Sequence, residues 1–313
     1  MRGLELCRAY FEEFGRPMLE EQFADVLPQV AVGLMGAGSE CLGFDDDVSR
    51  DHDFEPGFCI FLPGEDVVDR RTAFLLERAY AKLPREFGGA KRSLMAPVGG
   101  ARHGVLRTAE FFSERVGSAD GVLTLAQWLS TPEQALLEAS GGELWLDNLG
   151  EVTRIREGLR HWPEDVRRKK LAGQLLLMAQ AGQYNFARCI AHGETGAAQL
   201  AAFEFCRATM SCVFLLNGTY QPYYKWAFRA MRALPKLSIE AELLEWLITT
   251  GNEPAQAEEK HDVIEGICAD VIDELVDQGL TKATCGDLEK HAYSVNDTVG
   301  DAGLRNAHIL SAV

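Results

Sequence analysis

Strand signals and helix signals are distributed unevenly along the 313 residues of the chain, and this asymmetry limits the folds available to it. Before Pro163, short apolar runs that end at glycine alternate with amphipathic stretches, which predicts strands alternating with helices. After Pro163 the apolar side chains recur at helical spacing, as Leu171, Leu175 and Met178 do. The sequence therefore predicts an α+β fold, with a domain of sheet and helices at residues 1–162 and an all-α domain at residues 163–313.

The same patterns place individual elements. Predicted strands cover residues 29–35, 51–62 and 103–108, and predicted helices of the same half cover 3–26, 65–82 and 109–116. Residues 84–104, rich in Gly, Pro and Arg, predict an irregular loop. Thr131-Pro132-Glu133 has the residues of a helix start, and the runs 143–147 and 151–155 predict either a hairpin or a strand followed by a helix. Predicted helices of the second half cover 165–189, 196–216, 222–234, 239–249 and 258–278.

Composition excludes several classes of protein. The chain has 47 Asp and Glu against 31 Lys and Arg, a net charge of −16, which disfavours general binding to a phosphate backbone. No window reaches the roughly 18 apolar residues of a membrane helix, and the first residues lack the apolar core of a secretory signal. The eight cysteines form no CxxC pair, which predicts free thiols in a reducing compartment. We therefore expect a cytoplasmic protein without a membrane partner.

One segment has the features of a phosphate and metal site. The apolar run 29–35 ends in Gly36-Ala37-Gly38-Ser39, where glycine lets backbone N–H groups approach an anion and the serine hydroxyl adds a donor. Eleven residues separate Ser39 from Asp51, and Asp51 and Asp53 share one face of the predicted strand. Two carboxylates beside substrate phosphates suit Mg²⁺, whereas the alternative is a polar face of a surface strand. The pattern favours a magnesium-bound nucleoside triphosphate.

The spacing from Gly38-Ser39 to Asp51-His52-Asp53 resembles the signature of the nucleotidyltransferase superfamily, which includes DNA polymerase β, aminoglycoside nucleotidyltransferases and CCA-adding enzymes. The segment GSECLGFDDDVSRDHDF is more narrowly similar to the DUF4037 family of bacterial proteins within that superfamily. Similar to the same family are HGVLRTAEFF, GELWLDNLGEVTRIREGLRHWPEDV and the stretch from Lys169 through NGTYQPYYKW, so the resemblance covers residues from about 30 to about 235. It implies a nucleotidyltransferase-like domain with a mixed sheet, followed by a helical domain.

The resemblance also implies roles for single residues. Gly38 and Ser39 would hold the triphosphate, and Asp51 and Asp53 would be catalytic residues that bind Mg²⁺. A third carboxylate is expected on a later strand, but residues 103–107 contain no acid. The alternatives are Asp147, which is slightly favoured, and Glu143.

The helical domain of the superfamily often packs against the nucleotide, which implies further contacts. Lys225 would reach a phosphate, Tyr220 or Tyr224 would stack on a base, and Asn217 belongs to the same polar and aromatic cluster. The alternative is that the tyrosines are packing residues and that Asn217 begins a turn. Arg50, directly before Asp51, would steady a phosphate.

Three functions remain in competition. In the first, an enzyme transfers a nucleoside monophosphate from a nucleoside triphosphate to a hydroxyl of a small molecule, and the acidic surface suits a cationic acceptor. In the second, the acceptor is a protein side chain or a tRNA end, and tRNA would require the basic run at residues 167–170 to form a patch. The third is a regulatory nucleotide-binding protein without turnover, which the missing third carboxylate would favour.

Overall fold

The computed structural model describes residues 2–46, 55–92 and 102–313. These residues form an α+β structure, as the sequence predicts. The chain divides into two compact units. Unit 1 comprises Met1–Thr124 and Ala135–Arg160, and unit 2 comprises Leu125–Gln134 and His161–Val313.

A mixed sheet organises the described part of unit 1. Its strands are β1 (Ala31–Leu34), β2 (Cys59–Leu62), β5 (Gly104–Arg107) and β6 (Glu143–Asp147), and their order is β5-β2-β1-β6. Strand β1 is antiparallel to both of its neighbours, β2 and β6, whereas β2 is parallel to β5. All four residues of β1 and of β2 are buried, which explains why both appear in the sequence as continuous apolar runs.

Two predictions for unit 1 are wrong in part. The strand predicted at 51–62 begins only at Cys59, and residues 55–58 have no strand structure. Pro56 has no backbone N–H to donate to a ladder, and the N–H of Phe58 donates instead to the Tyr80 hydroxyl at 3.0 Å. The loop predicted at 84–104 contains a short antiparallel hairpin, β3 (Glu86–Phe87) and β4 (Ala90–Lys91).

Helices cover the sheet of unit 1. The predicted helix 3–26 consists of α1 (Gly3–Tyr10), a π-helical turn (Phe11–Gly15) and α2 (Arg16–Gln22). The other helices are α3 (Arg70–Ala81), α4 (Thr108–Val116), the end of α6 (Glu133–Ser140) and α7 (Glu151–Leu159). Because α7 follows β6 directly, the segment 143–155 is a strand followed by a helix and not a hairpin.

Aromatic packing fixes the first helix to the sheet. Phe11 is fully buried, and its ring stacks on Trp145 of β6 with the ring centroids 5.5 Å apart. The edge of Phe11 also meets Phe58, whose ring packs in turn against Tyr80 at 4.9 Å. Such pairs stabilise a fold by about 0.5–1.5 kcal/mol each beyond the apolar area that they bury.

Unit 2 is helical in its described residues. It contains α5 (Leu125–Ser130), the start of α6, α8 (Glu164–Met178), a π-helical segment (Ala179–Phe186), α9 (Ala187–Ala191), α10 (Thr195–Leu216), α11 (Tyr224–Met231), α12 (Glu240–Thr249), α13 (Pro254–Asp277), α14 (Leu288–Asp297) and α15 (Ala302–Asn306). Helix α10 packs against α8, the π-helical segment and α12.

By length and composition, helix α10 is apolar enough to cross a membrane. However, 61% of its most apolar window is buried inside the protein, as in the core helix of a soluble protein.

All eight cysteines belong to the described residues and are free thiols, as predicted.

Candidate functional site

The topology gathers several segments at one end of the sheet in unit 1. Strand β1 ends at Leu34, where the register pairs Leu34 with Glu143 at the start of β6. Because β2 is antiparallel to β1, the start of β2 at Cys59 lies beside Gly33, and Gly104 at the start of β5 pairs with Cys59. We call this the turn end of the sheet, because the glycine turn of residues 36–43 follows β1 there.

Left-handed backbone conformations shape the glycine turn. Gly36 has φ +107° and Gly38 has φ +138°, values that side-chain-bearing residues rarely adopt. The N–H groups of Leu42 and Phe44 both donate to the Ser39 carbonyl, which closes the turn. Within the described residues, the N–H groups of Gly38 and Ser39 donate to no acceptor. These two half-buried residues therefore present backbone donors of the kind that bind anions.

Glu40, which the sequence analysis did not select, lies directly on this turn. A Cβ built on Gly38 would lie only 2.7 Å from the Oε2 atom of Glu40, so the carboxylate covers the glycine. Its Oε1 atom is 3.9 Å from the Nη1 atom of Arg102, and the side chain is 13% exposed. The one sequence signal for Glu40 is that it immediately follows Gly38-Ser39.

Arg115 is a second residue that the sequence did not reveal. It lies in the last turn of α4, and its Nη2 atom would be 3.0 Å from a Cβ built on Gly36. The guanidinium stacks on the Phe111 ring, 3.7 Å from the centroid, and Nη1 donates to the Phe111 carbonyl at 3.0 Å. Its buried Nε atom has no hydrogen-bond partner among the described residues. Burial lowers the pKa of Arg115, while the nearby Glu138 carboxylate acts in the opposite direction.

The two candidates for the third carboxylate lie at opposite ends of β6. Glu143 pairs with Leu34 at the turn end, whereas Asp147 pairs with Ala31, about 10 Å further along the strand. Asp147 accepts a hydrogen bond from the Thr153 N–H at 2.7 Å and so caps the start of α7. The register therefore favours Glu143 over Asp147, the reverse of the sequence-based preference.

The predicted metal ligands are not placed by the structure. Arg50, Asp51 and Asp53 lie outside the described residues. Within the described residues, no group of three or more His, Cys, Asp or Glu side chains is arranged to hold a metal ion.

The remaining predicted residues lie in unit 2, where two have side chains committed to internal contacts. The Asn217 amide donates to the Val213 and Lys236 carbonyls and accepts the Lys236 N–H, which joins the end of α10 to the loop before α12. Tyr220 is buried, with its ring edge against Trp162 at 4.3 Å. These contacts support the packing alternative for Tyr220, and Asn217 begins a turn after α10, as its own alternative predicts.

Tyr224 and Lys225 are exposed, and both remain available to a ligand in this unit. The ammonium of Lys225 lies 4.9 Å from the centroid of the Trp226 ring.

The backbone that precedes Tyr224 is held by the first turn of α6. The N–H of Gln221 donates to the Glu133 carboxylate at 2.8 Å, and the N–H of Tyr223 donates to the Gln134 side chain at 2.9 Å. Burial raises the pKa of Glu133, and Lys170 acts in the opposite direction. This arrangement fixes the position of Tyr224 within the unit.

The basic run at residues 167–170 does not form a basic surface. Arg167 and Arg168 both pair with Glu164, and they also donate to the carbonyls of Leu215 and Thr298. Lys169 and Lys170 are buried, and the ammonium of Lys169 donates to Asn296 and Ala307. The four side chains are therefore engaged within unit 2 and do not form the basic patch that a tRNA acceptor would require.

Comparison with known families gives one match. A model of the DUF4037 family, a domain of unknown function, matches residues 128–227, about a third of the chain. The chain is thus similar to this family over β6, α7, α8 and α10, and the match supports the DUF4037 part of the resemblance at residues 128–227. Among curated proteins, none matches the chain.

Proposed function

We propose that this protein is a Mg²⁺-dependent nucleotidyltransferase that transfers a nucleoside monophosphate from a nucleoside triphosphate to a hydroxyl of a small molecule. The observation that supports this proposal most directly is the glycine turn at the end of β1, where the N–H groups of Gly38 and Ser39 donate to no acceptor among the described residues. Backbone donors of this kind bind phosphate groups. Asp51 and Asp53 of the same motif are the proposed metal ligands.

The residues at the turn end suit magnesium. Mg²⁺ prefers oxygen ligands and is held in proteins by one or two carboxylates together with substrate phosphates. The Ser39 hydroxyl and the carboxylates of Glu40 and Glu143 belong to this end. When bound, Mg²⁺ would align the α-phosphate and neutralise charge on the leaving group.

The proposed reaction is a phosphoryl displacement. The acceptor oxygen forms a bond to the α-phosphorus, the bond from that phosphorus to the oxygen bridging to the β-phosphate breaks, and pyrophosphate leaves with the electron pair. The hydroxyl proton passes to a base, for which Glu143 is the better candidate on the sheet register. The backbone donors of Gly38 and Ser39 stabilise the charge on the phosphate oxygens.

A specific observation also favours a second function, a nucleotide-binding regulatory protein without turnover. Asp147 caps α7, and Glu143 is exposed and accepts a hydrogen bond from the Trp145 indole at 3.2 Å. Both candidates for the third carboxylate thus have a contact within the fold. Such a protein would bind the nucleotide but leave its α-phosphate intact.

The choice of acceptor follows from charge. A net charge of −16 favours a cationic small molecule through electrostatic steering. A tRNA acceptor is less favoured, because the basic run at 167–170 is occupied by contacts within unit 2. A protein acceptor remains as the alternative, and the proposed location of the reaction is the cytoplasm.

Transfer of label from the α-phosphate tests the proposal. Each of the four nucleoside triphosphates, labelled at the α-phosphate, is incubated with Mg²⁺, the protein and a bacterial extract separated into small-molecule, RNA and protein fractions. We expect label in the small-molecule fraction with the wild type and none with Asp53→Asn. Label in no fraction, despite nucleotide binding, would favour the regulatory protein over the enzyme.

A further inference from the structure

We propose that Arg115 binds a phosphate group of the nucleotide at the Gly36 side of the glycine turn. This inference deepens the proposed function and rests on it. Arg115 lies outside the sequence motif and would supply a positive charge for the triphosphate.

The approach of Arg115 to the turn is the first observation. Its Nη2 atom would be 3.0 Å from a Cβ at Gly36, so any other residue at position 36 would press on the guanidinium. The φ of +107° favours glycine at position 36, and a side chain there would also require the Arg115 guanidinium to shift. The guanidinium thus lies against the turn in which the N–H groups of Gly38 and Ser39 donate to no acceptor of the described part of the chain.

The incomplete bonding of the guanidinium is the second observation. An arginine side chain has five N–H donors, and a buried donor without a partner costs free energy. Nη1 donates to the Phe111 carbonyl, whereas the buried Nε has no partner among the described residues. The Phe111 ring holds the planar group from one side. An anion at the turn would supply the acceptors that this group lacks, since a guanidinium matches a phosphate with two parallel hydrogen bonds.

Two carboxylates near the turn affect how a phosphate group could bind there. Glu138 is a nearby carboxylate that interacts with Arg115. Glu40 covers Gly38, and its Oε1 atom lies 3.9 Å from the Nη1 atom of Arg102. A phosphate on the turn would therefore displace the Glu40 carboxylate or share a metal ion with it.

Arg156 provides a matched control. It is also a buried arginine of unit 1, and burial likewise lowers its pKa. Unlike Arg115, it donates to three carbonyls, those of Ser140, Gly141 and Gly142. Its guanidinium is thus engaged by the backbone between α6 and β6, and we expect it to have a structural role alone.

The test is calorimetric titration of the wild type, Arg115→Gln, Arg156→Gln and Asp53→Asn with each nucleoside triphosphate in Mg²⁺ and with pyrophosphate. Loss of a charge-assisted hydrogen bond predicts an affinity about ten- to a hundredfold lower for Arg115→Gln. Arg156→Gln is expected to keep the wild-type affinity. Circular dichroism and thermal unfolding establish that each variant is folded.

Arg115→Lys keeps the proposal falsifiable if Arg115→Gln does not fold. Lysine retains the positive charge but not the forked donors, so we expect a several-fold loss of affinity. Wild-type affinity in either folded Arg115 variant, together with loss of binding in Asp53→Asn, would overturn the role of Arg115 and leave the proposed function intact. A wild type that binds none of the four nucleotides would overturn the proposed function and this inference with it.

Discussion

At the scale of single residues, the glycine turn depends on the absence of a side chain at position 38. Gly38→Ala would place a methyl group against the Glu40 carboxylate at a φ of +138°. We expect the free energy of unfolding to fall by about 1–3 kcal/mol, and nucleotide binding to be lost. Urea unfolding and calorimetry measure the two effects.

Gly43→Ala is the control for this substitution. Gly43 has φ +72°, but a Cβ there would meet no atom within 4 Å. We expect a smaller loss of stability and unchanged nucleotide affinity. Equal effects of the two substitutions on binding would contradict a specific role of Gly38.

Substitution of Glu40 should strengthen anion binding at the turn, whereas substitution of Gly38 should abolish it. Its carboxylate covers Gly38, and so it opposes any anion that binds there in the absence of a metal ion. Glu40→Gln removes one negative charge next to the turn, and we expect the affinity for metal-free pyrophosphate to rise about tenfold. Glu110→Gln, in the first turn of α4, is the control and should have no effect. An affinity that is unchanged in Glu40→Gln would show that pyrophosphate binds elsewhere.

At the scale of elements, the register of β6 separates two carboxylates that are equivalent in the sequence pattern. Asp147 caps α7 through the Thr153 N–H, so Asp147→Ala should lower the free energy of unfolding by about 0.5–2 kcal/mol. Because Asp147 lies away from the turn end, the affinity for nucleotide should not change. Urea unfolding and calorimetry on the same samples check both statements.

Glu143→Gln should impair the transfer reaction and leave the free energy of unfolding nearly unchanged. Glu143 lies at the turn end, and we expect slower transfer with little change in stability. If Asp147→Ala abolished transfer in a protein as stable as the wild type, the assignment based on register would be wrong.

The elements also show what the sequence could and could not predict. The helices after Pro163 follow their apolar periodicity within a few residues, as α10 does at Thr195–Leu216. The strand predicted from residue 51 failed over 55–58, because the apolar pattern does not register that Pro56 cannot donate to a ladder. The β3–β4 hairpin has two residues in each strand, too few for a period to be recognised.

In the candidate site, too, some residues could be predicted from the sequence and others could not. Gly38 and Ser39 follow from a local motif, since a strand that ends in glycine predicts a turn. Arg115 and Glu143 reach the turn end only through the packing of α4 and the register of β6, which one sequence does not specify.

At the scale of the whole molecule, stability should depend on pH through a buried glutamate in unit 2. Glu240 of α12 is 1% exposed, and one of its carboxylate oxygens has no partner among the described residues. The exposed carboxylate of Asp270 in α13 lies close enough to act on it. Burial, followed by the Asp270 charge, raises the pKa of Glu240 to about 7, against 4.5 for an ordinary glutamate.

The sign of the effect follows from proton binding. Between about pH 4.5 and pH 7 the folded state keeps a proton on Glu240 that the unfolded state has lost, so stability falls as the pH rises through this interval. Glu240→Gln stays neutral, and we expect it to exceed the wild type by about 1–3 kcal/mol at pH 8 but not at pH 4.5. Urea unfolding across this range measures the difference. A difference that is constant with pH would contradict proton retention by Glu240.

In the proposed function, the Gly38-Ser39 turn and the Asp51-x-Asp53 pair bind a nucleoside triphosphate with Mg²⁺. The most direct measurement is the thermal unfolding of the wild type and Asp53→Asn with each of the four nucleoside triphosphates, with and without Mg²⁺. Because a ligand that binds only the folded state stabilises it, we predict a Mg²⁺-dependent rise in Tm for the wild type that Asp53→Asn abolishes. The same Tm with and without every nucleotide, or an equal rise in the variant, would contradict the claim.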